Sequence, residues 1–357
     1  MKWLFALPDP TLDELLSQVS RSFYFSLAVL PKSLRRQLSV AYLVARAADT
    51  VADTSAVPAA RRIELLGLLR AAIDDPGKGV ALCTTLRGEL LERLDIAVGG
   101  ARETSGERSL LLRLDQCLVE LARFERADRD RTSRVLATLI EGMERDLRRF
   151  PGASDSLSEE VKALETVKDL DEHCYYAAGC VGEYWTLMTA AHVAGLDRLS
   201  RPDYVARGVR LGKALQYVNV LRDAPRDLQQ GRSYIPVEML APLGLQPIDL
   251  RDPDKRRQAR PIFDALIDRA VAHVDAAMPY VLAIPRSEPR LRLAALWPIW
   301  IGLGTLTMLR QARDPFDPSE VLRIPQNELY RIIAESMAVV SWNGALERSH
   351  ARRRAAV

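Results

Sequence analysis

Cysteine and aromatic residues are sparse in this chain, with four Cys and 6% Phe, Trp and Tyr among 357 residues. Cys83, Cys117, Cys174 and Cys180 are scattered, and no C-x-x-C pair or histidine spacing points to zinc or to a disulfide frame. Reduced core thiols are the expected state. An excess of one charge is also missing, since 50 Lys and Arg stand against 47 Asp and Glu for a formal +3. The basic residues are spread rather than blocked, so no nucleic-acid partner is expected. The apolar part of the first eight residues is too short for a signal peptide, which leads to an expected cytoplasmic location. The longest uncharged run, Leu293 to Leu309, falls short of a membrane span and contains Pro298 and two glycines; a buried helix pair is expected there. Convincing strand alternation, a fixed-period repeat and a low-complexity linker are all absent.

What is present is helical period. With 48% hydrophobic and 27% charged residues, the chain can bury one large core or two smaller ones, and one all-α domain over residues 1–357 is the simplest architecture. An amphipathic helix is expected from Thr11 to about Leu30, closed by Pro31. Further helices are expected over Arg61 to Ala72, Thr84 to Val98, Thr132 to Phe150, Asp171 to Val193, Gly212 to Asp227, Arg257 to Pro279 and Gln326 to about Arg348. Residues 348–357 form a basic cluster, read as a frayed, solvated tail.

The stretch that organises the chain is Tyr42-Leu-Val-Ala-Arg-Ala-Ala-Asp-Thr-Val-Ala-Asp53. Asp49 and Asp53 are one helical turn apart, on a stripe running back through Ala45, Tyr42 and Leu38, positions expected to face a core. With 47 acids in the chain, roughly six acid-x-x-x-acid pairs arise by chance, so the environment matters more than the spacing. A buried unpaired carboxylate costs several kcal/mol, and Arg46 or a divalent metal would relieve it. A salt-bridged helix end is the alternative.

A second polar stripe, Gln216, Asn219, Asp223 and Asp227, runs along Gly212 to Asp227, with Leu211, Leu215, Val218 and Leu221 on another side. Solvated faces usually carry long charged side chains. Short oxygen ligands in register favour a second metal site, and Pro225 predicts a kink beside it. Between the two lies a cluster of small residues, Ala177, Ala178, Gly179, Cys180 and Gly182. Each glycine costs a helix about 1 kcal/mol, so a close helix neighbour or room for a ligand is expected in return. Arg21, following Leu15, Leu16 and Val19, either clamps an anion or snorkels to solvent.

Magnesium takes hard oxygen ligands, commonly one or two carboxylates with substrate phosphates and water. Two such acid pairs, with Arg21, Arg46, Arg222 and Arg232 as phosphate donors, suit a diphosphate leaving group. Here the chain resembles the squalene and phytoene synthases, from about Ser20 to at least Pro236. The carriers are Ser20-Arg-Ser-Phe23, the Tyr42 to Asp53 stretch, Cys174-Tyr-Tyr-Ala-Ala-Gly-Cys-Val-Gly182, and Gln216-Tyr-Val-Asn-Val-Leu-Arg-Asp-Ala-Pro-Arg-Asp-Leu-Gln-Gln-Gly-Arg232. The resemblance implies an isoprenoid synthase fold with helices around a central apolar cavity. It implies that Asp49, Asp53, Asp223 and Asp227 converge on Mg2+, and that Arg21, Arg46, Arg222 and Arg232 contact diphosphate. Asn219 is implied as the polar partner of the second acid pair, with Ser20, Phe23, Tyr42 and Gln216 completing the substrate-binding set.

The implied reaction joins two isoprenyl diphosphates head to head through a cyclopropyl diphosphate. Two farnesyl diphosphates giving squalene with NADPH is the favoured version, on the Asp-Thr motif. Phytoene or dehydrosqualene synthesis without NADPH is the alternative, and a non-catalytic assembly subunit and a terpene cyclase are further ones. His173 stands where the family carries a tyrosine, so either His173 takes a proton-transfer role, or Tyr175 or Tyr176 does, or the first step differs. An apolar product fits peripheral membrane contact, and no pattern sets an oligomeric state.

Overall fold

The computed structural model describes residues 10–20, 23–54, 57–91, 102–151, 160–319 and 322–357. Helical periodicity becomes helix almost throughout; among the described residues, strand is confined to the two-residue pair Lys162–Ala163 and Arg232–Ser233. All four cysteines are buried and free, as expected. The chain divides into two compact units, Met1–Pro151 with Met188–Gly195, and Gly152–Leu187 with Leu196–Val357.

The first unit is built on the helix Lys32–Asp53, against which Ala59–Asp74, Leu114–Ala122 and Arg126–Arg149 pack. Leu34, Leu38, Ala41, Val44, Ala48 and Val51 recur at steps of three and four on its buried face, each larger side chain contributing about 1.5–3 kcal/mol on burial. Thr54, in extended conformation, ends the helix. Arg62, buried on the next helix, donates from Nη1 to the Ala52 carbonyl at 2.7 Å. A cation there satisfies an end carbonyl and opposes the negative helix terminus, which fixes the turn carrying Asp49 and Asp53.

The expected helix from Thr11 to Leu30 is instead two, Pro10–Val19 and Phe23–Val29. Ser20 leaves helical geometry after the first. Its hydroxyl donates to the Leu16 carbonyl at 2.5 Å, meeting one of the helix-end acceptors.

In the second unit the helix Pro202–Gln229 packs against Arg260–Ala283 and Pro289–Gln311. It continues through Pro225 to Gln229. The apolar run is likewise one helix, Pro289–Gln311, not the expected pair; Pro298 occupies a half-buried position within it. This helix is long and apolar enough to cross a membrane, but 72% of its most apolar window is buried inside the structure.

The small-residue cluster has a clear structural cause. An added Cβ on Gly182 would lie 1.9 Å from the Gly208 carbonyl oxygen, and one on Gly212 would lie 2.0 Å from that of Ala178. Two helical segments therefore touch backbone to backbone, and only glycine fits. Close packing, rather than ligand room, accounts for these glycines.

The end of the chain also departs from expectation. Two helices, Gln326–Val339 and Asn343–Ala355, replace one helix and a frayed tail. Buried Arg292 holds the break, donating from Nη1 to the Val340 carbonyl and Asn343 Oδ1, both at 2.9 Å, and from Nε to the Ile284 carbonyl at 2.7 Å. Arg353 is 11% exposed, pairs with Glu328 and Glu335, and lies over the Trp300 ring at 4.8 Å. These contacts order the basic tail.

Candidate active site

In the first unit, Asp49 and Asp53 occupy the last turns of Lys32–Asp53. The stripe traced back from Asp49 lies beside the core face rather than on it: Leu38 is buried, Tyr42, Ala45 and Asp49 are half-buried, and Asp53 is exposed. The two carboxylates are thus accessible instead of entombed, as ligands for an incoming group must be. Thinned hydration and the neighbouring Asp53 push the Asp49 carboxyl up to about 7, against the pull of Arg46. Arg46 Nη1 stands 3.7 Å from Asp49 Oδ2, while its Nη2 is hydrogen-bonded to Glu107 Oε1. Tyr42 donates from its hydroxyl to the Val19 carbonyl at 3.3 Å and stacks with Phe23 at 5.5 Å. Ser20 is buried and engaged with its own helix. Arg21 lies outside the described residues.

In the second unit, Gln216, Asn219 and Asp223 are half-buried along one face of Pro202–Gln229, and Asp227 is buried at 5% exposure. Arg222 forms a fork on Asp223, Nε to Oδ1 at 2.8 Å and Nη2 to Oδ2 at 2.5 Å. Asp227 Oδ1 accepts from Arg232 Nε at 2.8 Å. The short strand pair sets Arg232 in place through Lys162 N–H donating to the Gly231 carbonyl and Leu164 N–H to that of Ser233. Gly231, at φ +82°, makes the turn before it. Burial lifts the Asp227 carboxyl to about 6, with Asp223 adding and Arg232 opposing.

The Cys174 motif coils as a single π-helical turn, Tyr175–Gly179, between Val167–Cys174 and Cys180–His192. Such turns realign the side chains that follow them. His173 Nε2 lies 3.2 Å from Gln216 Nε2, and its ring rests against that of Tyr234 at 4.2 Å. Tyr175 donates from its hydroxyl to Glu183 Oε2 at 3.2 Å, and burial with Glu183 pushes it up to about 12. Tyr176 packs edge-on to Tyr175 at 5.6 Å.

The sequence reading missed Glu107, Glu183 and Tyr234. Glu107 sits on Arg102–Leu112, a helix without a periodic signal strong enough to mark it. Tyr234 lies just past the last motif, which ends at Arg232, and had no partner visible from spacing.

Among the described residues, no group of three or more His, Cys, Asp or Glu side chains could hold a metal unaided. The donor set is instead paired carboxylates. These fit magnesium, which completes its octahedron with phosphate and water, and the mutual repulsion at Asp49 and Asp53 is what a bound cation relieves.

The fold is the all-α isoprenoid synthase fold. A solved complex of TcSQS with the ligand E5700 superposes with a TM-score of 0.75 at 22% identity, covering 97% of this chain and 90% of that one. A dehydrosqualene synthase crystal structure gives 0.56 at 22% identity, covering 92% and 94%. The family profile described as Squalene/phytoene synthase matches residues 16–328, and the chain belongs to that family. The squalene synthase of Schizosaccharomyces pombe is 24% identical over 327 residues, 91% of this chain and 64% of that protein. The chain spans less than two thirds of the length of the curated squalene synthases it matches.

Proposed function

We propose that this protein joins two isoprenyl diphosphates head to head, as one isoprenoid synthase domain, and that the particular reaction is two farnesyl diphosphates to squalene. The observation that carries the reading is the pair of half-open acid sites, each with a guanidinium against it, in a chain of this family. Asp49 and Asp53, and Asp223 and Asp227, are assigned as the magnesium-binding acids. Magnesium, when bound, neutralises the leaving diphosphate so that its carbon–oxygen bond ionises without a protein nucleophile. Arg46, Arg222 and Arg232 supply charge-assisted hydrogen bonds to phosphate oxygens, with Arg21 as a fourth donor. Asn219, Ser20, Phe23, Tyr42 and Gln216 complete the substrate-binding set.

Proton handling is assigned to His173. Tyr175 already donates its hydroxyl to Glu183 and is pushed up to about 12, which leaves it a poor acid, and Tyr176 is the remaining alternative. Capture of the first carbocation by the second double bond, with one proton lost to His173 as the cyclopropane closes, gives presqualene diphosphate; after its diphosphate leaves, hydride from NADPH would give squalene, whereas proton loss would give dehydrosqualene or phytoene. The likeness to a dehydrosqualene synthase structure supports keeping that second product in view.

The test is incubation of purified protein with magnesium and farnesyl or geranylgeranyl diphosphate, with and without NADPH, and identification of products by mass spectrometry. Squalene formed only with NADPH is expected. A polyene formed without NADPH moves the assignment to dehydrosqualene or phytoene. Folded protein that releases no pyrophosphate from any prenyl diphosphate refutes catalysis and favours an assembly role. Chelation of magnesium, or Asp49→Asn or Asp223→Asn, is expected to abolish pyrophosphate release.

A further inference from the structure

We infer that Gln216 and Tyr234 are positioning residues that hold His173 as a neutral imidazole with its proton on Nδ1. This rests on the proposed reaction for its catalytic meaning, but not for its geometry. Gln216 Nε2 is a donor, and 3.2 Å from it stands His173 Nε2. An amide N–H can bond that nitrogen only if the nitrogen offers its lone pair, which puts the ring proton on Nδ1. In the same orientation Gln216 Oε1 accepts from Asn219 Nδ2 at 3.4 Å. Asn219, Gln216 and His173 thus form one directional chain of donors, with Asn219 behind Gln216 as Gln216 is behind the imidazole.

The ring plane is fixed by a separate element. Tyr234 lies against His173 at 4.2 Å with 32° between the planes, and a local turn presents it, in which Ile235 N–H donates to the buried Ser233 hydroxyl at 3.1 Å. Helix separation is fixed as well. The backbone contact between Gly212 and Ala178 lies about one turn from both Gln216 and His173, so the amide and the imidazole cannot drift apart without moving main chain. Proton uptake at Nε2 then requires the Gln216 amide to turn its oxygen toward the ring. Gln216 is in this way the gate on His173 as a base, beyond any contact with substrate.

The chain has four histidines, so 15N-labelled histidine gives a spectrum simple enough to assign, with His173→Gln identifying the signal. In resting protein without substrate, His173 should show an acceptor-type Nε2 and a protonated Nδ1. Gln216→Leu should release the ring to a mixture of tautomers, lower kcat about tenfold and alter the pH profile of kcat. Gln216→Glu, which can only accept, should move the proton to Nε2 and shift the pH profile of kcat. Tyr234→Ala should lose the single tautomer and lower the rate. A protonated Nε2 in the wild type, or a Gln216→Leu enzyme with unchanged kcat and pH profile, overturns the inference. Because the NMR measurement needs no turnover, an inactive wild type refutes the proposed reaction while the tautomer is still decided by itself.

Discussion

Replacing Gly212 by alanine tests the link from packing to chemistry most directly. Its Cβ would lie 2.0 Å from the Ala178 carbonyl oxygen and 2.9 Å from the Gly179 Cα, where ordinary contact begins near 3.4 Å. The two segments must separate by about 1.4 Å, and the obstruction is main chain, which has no rotamer to turn away. Overpacking costs typically about 1–3 kcal/mol, and a backbone clash belongs at or above the upper end. Alanine returns about 1 kcal/mol of helix propensity. The net expectation is a loss of about 2 kcal/mol, read as a lower urea midpoint at unchanged slope. The same displacement carries the Gln216–His173 bond from 3.2 Å beyond hydrogen-bond range, so turnover should fall along with stability. Gly67→Ala is the control. This glycine is exposed on Ala59–Asp74 with nothing within 4 Å of a built Cβ, and the variant should gain about 0.5–1 kcal/mol. A Gly212→Ala protein as stable and active as the Gly67→Ala protein would refute the backbone-contact argument.

Three further outcomes are expected. Arg292→Leu removes a buried guanidinium from backbone carbonyls at Leu282, Ile284 and Val340, leaving acceptors unsatisfied; a loss of about 3 kcal/mol in urea unfolding is expected. Asp227→Asn should raise thermal stability at pH 8 by on the order of 1–3 kcal/mol, because the native carboxyl, lifted to about 6, is ionised there at a cost, yet the variant should lose pyrophosphate release; a destabilised variant would contradict the pKa argument. His273, held down to about 4 by burial and by Arg210, with Lys213 and Arg269 acting the same way and Asp171 opposing, stays neutral in the fold while the unfolded chain binds its proton from about pH 6.5 downward. Stability should therefore fall as pH drops from 6.5 to 4, by on the order of 3 kcal/mol from this group, and His273→Gln should flatten that limb in thermal melts.

Local spacing alone sets the helical class, the order of the motifs and the two acid pairs. A turn of helix puts residues three and four apart on one face whatever surrounds them, so Asp49 with Asp53 and Asp223 with Asp227 were legible. The same locality left other questions open. Smallness around Gly182 was visible, but whether it faced a ligand or a helix depended on what lay opposite, at Gly208 and Gly212. The break at Ser20 and the ordered basic tail depended on a hydroxyl turned back on its own helix and on Arg353 meeting Trp300. Above all, the partners of the site residues come from far along the chain: Gln216 meets His173 across 43 residues and Arg46 meets Glu107 across 61. Tertiary packing alone chooses such pairs, since the free energy that joins them is that of the buried helix faces and not of the residues that meet.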